Sequence, residues 1–466
     1  MHAAFNGPFH DVEDYEGKVL LLRAMAVPDH ERTPDIDAFL RRPSVRFIFR
    51  HIQDFIWTCR RWLSGNVRYT FDGGLQKMMG QLPVANGVSE TSRGSVAKEN
   101  VQSDGANVAF PGGKIYIDIT STLNARDVGG IARVALKMAE AGLRSGRAVP
   151  VTFDGNALRL ASDERSTITL RPGDRYLLID IFWTITPEHR DFCKKARQSG
   201  AMAFICIHDI FPLHYPILME PGFYRDFSTN LGPALASFDA ILTVSKYVAA
   251  DVRQIIGSRY PENSGTPIEV FRLGDDAIAG TGGAVRDQIK AVFSNGPTML
   301  GVGAVVPHKG VPVALSGFDV LWSEGADVQY TLFGRTYSSC PWLRELIEKH
   351  PQYGRRLYWF EDASDSELAY GFARSKALVM PSVIEGFGLP LVEALRSGLP
   401  VVASDLAVFR EIAGNMPLYF PPCNTAGLVR ALRKALKAER ISVMPNATSW
   451  DDAFRSLTEA MARCAE

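Results

Sequence analysis

Two short apolar runs, 376–380 and 401–404, bracket the most regular stretch of this chain. Each reads as a strand of a parallel sheet buried on both faces. The piece between them must then be a loop followed by a crossover helix. Pro390 suits the first helical turn, where a missing N–H costs nothing, and Gly398 with Pro400 suits the stop, so the helix is predicted over 390–397. Similar apolar runs recur at 115–119, 149–153, 176–180, 202–208, 240–244 and 268–273, and again at 298–306, 328–334 and 357–360. Helical stretches lie between most of them, which is the alternation of doubly wound α/β sheets.

The first hundred residues break this rhythm. Between 45 and 63, Val45, Ile48, Phe49, Ile52, Phe55, Ile56, Cys59, Trp62 and Leu63 keep i, i+3, i+4 spacing, and the opposite face carries Arg46, Arg50, Arg60 and Arg61. This is the pattern of a basic amphipathic helix, which either lies in a membrane interface or packs its apolar stripe on the rest of the protein. From 89 to 113 the chain is polar and rich in Ser, Gly and Asn, a linker composition. The stretch 275–296, rich in Gly, Ala and Asp, reads as a second linker. The expected division is therefore an N-terminal extension (1–113), a first α/β domain (114–280), a second (297–446), and a final helix (447–466).

Candidate chemistry gathers at strand-to-helix turns. Gly386 and Gly388 precede the 390–397 helix, whose N-terminus offers unpaired N–H groups and partial positive charge to an anion. Glu385 and Glu393 frame that turn, and carboxylates are good acceptors for the vicinal hydroxyls of a sugar or ribose. Lys309, in the first turn of the second domain, can neutralise a diphosphate. Gly129 and Gly130 open a helix in the first domain, and His208 ends a buried strand there. Together these residue types ask for a nucleotide sugar.

The run Pro381-Ser382-Val383-Ile384-Glu385-Gly386-Phe387-Gly388-Leu389-Pro390-Leu391-Val392-Glu393-Ala394 resembles the E-x7-E signature of the family 4 retaining glycosyltransferases. Gly129-Gly130-Ile131-Ala132-Arg133 is similar to that family's cleft-facing glycine turn. His208-Asp209 is similar to its H-D-x-x-P segment. The resemblance implies a GT-B fold of two facing Rossmann-like domains, here with an extra N-terminal helical segment and with the final helix (447–466) crossing back to the first domain. It implies hexose transfer with retention, without a metal or cofactor. His208, Lys309 and Glu385 are then the catalytic candidates. Gly129, Gly130, Lys309, Glu385, Gly386, Phe387, Gly388, Leu389 and Glu393 would bind the donor, with Glu385 on the sugar and Glu393 on the ribose. The loop 361–363 would lie against the nucleobase. One departure stands out: His308 occupies the place of the family's usual arginine before Lys309, which weakens one of two expected cations.

The segments around Lys309 and His208 look most like the mannosyl and rhamnosyl branch. GDP-mannose is accordingly the first donor expected, and a UDP- or dTDP-sugar the second. The acceptor would be a saccharide or lipid-linked saccharide, as in polysaccharide biosynthesis. An epimerase or phosphorylase on the same architecture is the rival enzyme reading, and a sugar-binding scaffold the non-enzymatic one.

Composition narrows the partners. Lys+Arg and Asp+Glu both number 51 among 466 residues, so no global basic field exists to hold nucleic acid. The six cysteines lack C-x-x-C spacing and read as thiols of a reducing compartment. With no apparent leader and no apolar run long enough to span a bilayer, a cytoplasmic protein is expected, with peripheral membrane contact through 45–63 as its one route to a lipid.

Overall fold

A computed structural model of the protein describes residues 113–124, 129–219, 221–275, 283–337, 340–441 and 448–465. The amphipathic stretch 45–63 lies outside the described residues. Two sheets form the described part. The first comprises β1 (Ile115–Asp118), β2 (Ala148–Phe153), β3 (Leu158–Leu160), β4 (Asp163–Ile168), β5 (Arg175–Leu178), β6 (Met202–Ile207), β7 (Ala240–Thr243) and β8 (Ile268–Val270), in spatial order β4-β3-β2-β1-β5-β6-β7-β8. The second comprises β9 (Thr298–Val302), β10 (Gln329–Phe333), β11 (Leu357–Phe360), β12 (Ala377–Met380), β13 (Val401–Ser404) and β14 (Leu418–Phe420), ordered β11-β10-β9-β12-β13-β14.

Pairing is parallel throughout the second sheet and from β2 to β8 in the first. The central strands read as unbroken apolar runs because helices cover both faces: Ala203, Phe204, Ile205, Cys206 and Ile207 of β6 are all solvent-inaccessible. The antiparallel hairpin β3–β4 was not expected from sequence. Asp163, Glu164 and Arg165 of β4 are exposed, so this edge strand carries little of the apolar alternation by which strands are recognised.

Two other boundaries differ from the sequence reading. Strand β9 ends at Val302, short of 306, because Val305 leaves the ladder and bridges to Thr336 in the neighbouring loop. The stretch 275–296, read as linker, contains the helix Asp287–Ser294. Its Ile289, Val292 and Phe293 are buried, and Phe293 meets Phe333 and Tyr370 of the second domain edge-on. An eight-residue helix supplies too few turns for its period to stand out beside so many small and polar neighbours.

The last helix, Trp450–Arg463, starts from a capping box of Ser449 and Asp452. Trp450, Phe454, Leu457 and Met461 line its buried face. That face packs on the helix Gly130–Arg144 of the first domain, and Arg144–Asp451 and Arg463–Glu269 pairs, both 2.7 Å, fasten it there. Among the described residues no helix is long and apolar enough to cross a membrane.

Candidate functional site

Strands β9 and β12 are sheet neighbours, so their carboxyl-terminal loops lie side by side. Val383 N–H donates to the His308 carbonyl (2.8 Å), tying the two loops together. Across this junction Lys309 Nζ meets Glu385 Oε1 at 2.7 Å, and Ser382 Oγ donates to the same oxygen at 2.7 Å. Both contacts fall on Oε1, which leaves Oε2 as an acceptor for another donor.

The glycine loop is shaped by the protein's own packing. A Cβ on Gly386 would lie 2.2 Å from the His208 carbonyl oxygen, so close contact with the first domain excludes any side chain here. Gly388 has φ +99° and faces Phe409, whose ring a Cβ would approach to 2.5 Å. The resemblance assigns these glycines to donor binding; within this structure, packing on His208 and on Phe409 already requires both. Phe387 points into the core, so only its backbone is placed to reach a ligand. The helix begins at Leu389, one residue earlier than expected, which puts Pro390 at the second position, still among the N–H groups without helical partners.

Glu393 sits on the buried side of that helix. Its Oε1 pairs with Arg133 Nη1 at 2.7 Å, while Oε2 is buried without a hydrogen-bond partner among the described residues. Burial raises the Glu393 carboxyl to about 7, outweighing the attraction of the Arg133 guanidinium. Arg133 belongs to the first turn of the helix opened by Gly129 and Gly130. A methyl group on either glycine would meet nothing within 4 Å among the described residues, which leave space in front of that turn.

His208 follows β6. Its Nε2 donates to the Ile179 carbonyl (2.7 Å), and burial lowers its pKa to about 4. The ring is therefore neutral at pH 7, with Nδ1 left as acceptor. Next to it, burial and the Glu385 carboxylate raise Asp209 to about 7, against the opposing pull of Lys309. His308 is neutral as well: its ring lies 4.6 Å from Phe211, and burial followed by the Lys309 charge lowers it to about 3. Its Nδ1 is buried and unpartnered.

The site is thus assembled from both domains. Ser245 Oγ donates to the Gly386 carbonyl at 3.0 Å. Glu411 accepts the backbone N–H groups of Lys246 and Tyr247 (2.7 and 2.9 Å), a carboxylate from one domain capping a helix of the other. The structure brings His208, Lys309, Glu385, Glu393 and the 386–389 loop together, with the Gly129–Gly130 turn joined to them through Arg133. In the loop expected beside the nucleobase, Glu361 is engaged by Arg344 (2.7 and 2.8 Å) and Asp362 by Arg286 (2.8 Å). Arg133, Asp209 and Ser245 were not selected from sequence as site residues. Their partners lie far along the chain, and only the glycine turn preceding Arg133 and the histidine beside Asp209 offered a signal.

Two facing parallel sheets, with the candidate residues at their carboxyl edges, define the GT-B class of α/β proteins. Residues 286–450 match the family model of glycosyl transferases group 1. Among curated proteins it is similar to the serotype-specific mannosyltransferase WbdA of Escherichia coli, 33% identical over 270 residues, which cover 56% of this chain and 33% of that protein. It is also similar to the O-antigen chain mannosyltransferase RfbU of Salmonella typhimurium, 27% identical over 218 residues, 47% of this chain and 56% of the relative. The match to WbdA thus spans about a third of that relative's length. Among solved structures, Anabaena HepE in complex with UDP and glucose superposes with TM-score 0.54 at 14% identity, covering 75% of this chain and 99% of that one. A glycosyltransferase from Rickettsia africae gives 0.53, also at 14%, covering 77% and 100%. At these identities the structures speak for the fold.

Proposed function

We propose that this protein is a retaining hexosyltransferase that moves mannose from GDP-mannose to a saccharide or lipid-linked saccharide acceptor in polysaccharide biosynthesis. The observation that carries this reading is the pair Lys309–Glu385 at 2.7 Å, with Glu385 on the loop that leads into the helix bearing buried Glu393, within the segment that matches the glycosyl transferases group 1 model. The mannosyltransferase relatives support the choice of sugar.

In this reading the ribose hydroxyls donate to Glu393 and the sugar hydroxyls to Glu385 Oε2. Lys309 and the helix N-terminus at Leu389 stabilise the charge that grows on the leaving diphosphate. His208 offers the neutral Nδ1 acceptor to the sugar. The anomeric carbon–phosphate oxygen bond breaks as the acceptor oxygen attacks from the same face, and the acceptor proton passes to the departing phosphate, so no protein base is required. The 45–63 segment gives access to a lipid-linked acceptor at an anionic membrane surface.

A donor panel of GDP-mannose, UDP-hexoses and dTDP-rhamnose, read by nucleoside diphosphate release, tests the reaction and the donor together. Release from GDP-mannose alone, with an α-linked product by NMR, is the expected result. Release from none, with any saccharide acceptor, overturns the reading. Co-sedimentation with anionic vesicles, lost when Arg46, Arg50, Arg60 and Arg61 are changed to Glu, tests the membrane contact; wild-type protein left in the supernatant overturns it.

A further inference from the structure

Both carboxylates assigned to donor hydroxyls are ion-paired in this structure, Glu385 with Lys309 and Glu393 with Arg133, each at 2.7 Å. Each pair joins a group suited to a sugar hydroxyl with a group suited to a phosphate. A diphosphate needs more than one cation, and the loop that supplies Lys309 supplies no second one. His308, which stands beside it, is buried, neutral and packed on Phe211. The guanidinium of Arg133 comes from the facing domain, from a side chain 26% exposed, directly behind a glycine turn before which the described residues leave space. Its planar fork of N–H donors matches phosphate oxygens two at a time. The carboxylate it now holds keeps Oε2 buried and without a hydrogen-bond partner among the described residues, an acceptor open to a ligand's donor.

We propose that Arg133 is a donor-binding residue whose guanidinium passes from Glu393 to the diphosphate when the nucleotide sugar binds, leaving Glu393 to the ribose hydroxyls. The inference rests on the donor reading above and adds the second cation that the His308 position lacks. The exchange leaves every charged group with a hydrogen-bond partner. Before binding, two cations meet two carboxylates; afterwards the cations meet the diphosphate and the carboxylates meet hydroxyls. Because Arg133 and Glu393 stand on different domains, the exchange also makes the first domain respond to a nucleotide seated on the second.

The test compares diphosphates with nucleosides. Wild type, Arg133→Met and Arg133→Lys are titrated by calorimetry with GDP, UDP and dTDP and, in competition, with guanosine, uridine and thymidine. For the diphosphate that wild type binds, Arg133→Met is expected to bind about tenfold or more weakly. The matching nucleoside should bind equally well or more tightly, since Glu393 is released from its partner, and Arg133→Lys should recover part of the diphosphate preference. Equal shifts for diphosphate and nucleoside would mean that Arg133 only shapes the site, and would overturn the proposal. Should Arg133→Met fail to fold, the same ratio is read from Arg133→Lys, which keeps the charge and loses the fork; an unchanged ratio there is likewise fatal. If wild type binds none of the three diphosphates, the donor reading itself fails and this inference with it.

Discussion

Arg396 and Asp275 form a buried ion pair, 2.8 Å from Nη2 to Oδ2 with both side chains 3% exposed, at the place where the chain passes between its domains. Asp275 Oδ1 also accepts the Thr448 N–H (2.7 Å), and the Asp275 N–H donates to the Thr448 carbonyl (2.9 Å). One carboxylate therefore holds both interdomain crossings. The helix that bears Arg396 also bears Glu393, so the donor-side carboxylate and the crossing are positioned by a single rigid element.

Removing Arg396 weakens the pairing of a buried charge. Arg396→Met is expected to destabilise the protein by about 3 kcal/mol, because Asp275 stays desolvated and is left with the half-exposed Arg272, at 3.3 Å, as its counter-ion. The double variant Arg396→Met, Asp275→Asn should recover part of that loss, since no bare charge is left. Urea unfolding checks both; equal stability of the single variant and wild type would contradict the picture.

Lys309→Ala should depress turnover by about 10²–10³-fold while changing affinity for the free nucleoside little, because charge on a leaving diphosphate is greatest in the transition state. Initial rates at saturating donor, set beside nucleoside binding, separate the two effects. Undiminished turnover would remove Lys309 from the leaving-group role.

The doubly wound sheets were legible because their central strands are covered on both faces and so appear as bare apolar runs, whereas the GT-B arrangement was implied by the family resemblance alone. The 381–394 stretch, punctuated by glycines and prolines, showed where a turn must open toward a ligand. What stayed hidden depends on residues distant in sequence. Nothing local to Glu393 reveals Arg133, and nothing local to Gly386 reveals that the His208 carbonyl occupies the space of its missing side chain. The exposed hairpin β3–β4 was missed for the opposite reason, since its polar edge strand buries too little to leave a pattern.

Gly386→Ala tests that contact. A methyl group 2.2 Å from a backbone oxygen cannot be accommodated by side-chain rotation, so the loop must withdraw from the first domain. The strain should cost about 1–3 kcal/mol. It should also break the bond from Ser245 Oγ to the Gly386 carbonyl, so turnover should fall more than nucleotide affinity does. Donor kinetics together with thermal unfolding measure this, and a variant with wild-type kinetics would show that the loop does not need the first domain for activity.

The raised carboxyl of Glu393 makes stability depend on pH in a direction unusual for an acid. An unfolded glutamate ionises near its ordinary value of 4.5, while the folded one keeps its proton to about 7. Between these values the native state binds more protons than the unfolded state, so stability falls as pH rises, by at most about 3 kcal/mol from this group. Asp209, raised to about 7 by burial and by Glu385, contributes with the same sign. Glu367 acts oppositely: despite the cost of its burial, hydrogen bonds from Arg286 and the Ser364 backbone hold it down at about 2, so its contribution is lost only as pH falls below about 4.5. Buried His208 and His308, held at about 4 and about 3 against an ordinary 6.5, pull the other way, because the unfolded chain binds more protons there and stability rises with pH up to about 6.5. The opposed slopes nearly cancel below that value, so wild type should be most stable near pH 6.5 and decline toward pH 7.5. Glu393→Gln, which cannot ionise but can still accept from Arg133, should flatten that decline without altering the acid limb. Denaturant unfolding at half-unit pH steps resolves the two limbs, and an unchanged slope between pH 5 and 7.5 in Glu393→Gln would show that the buried carboxylate is ionised through this range.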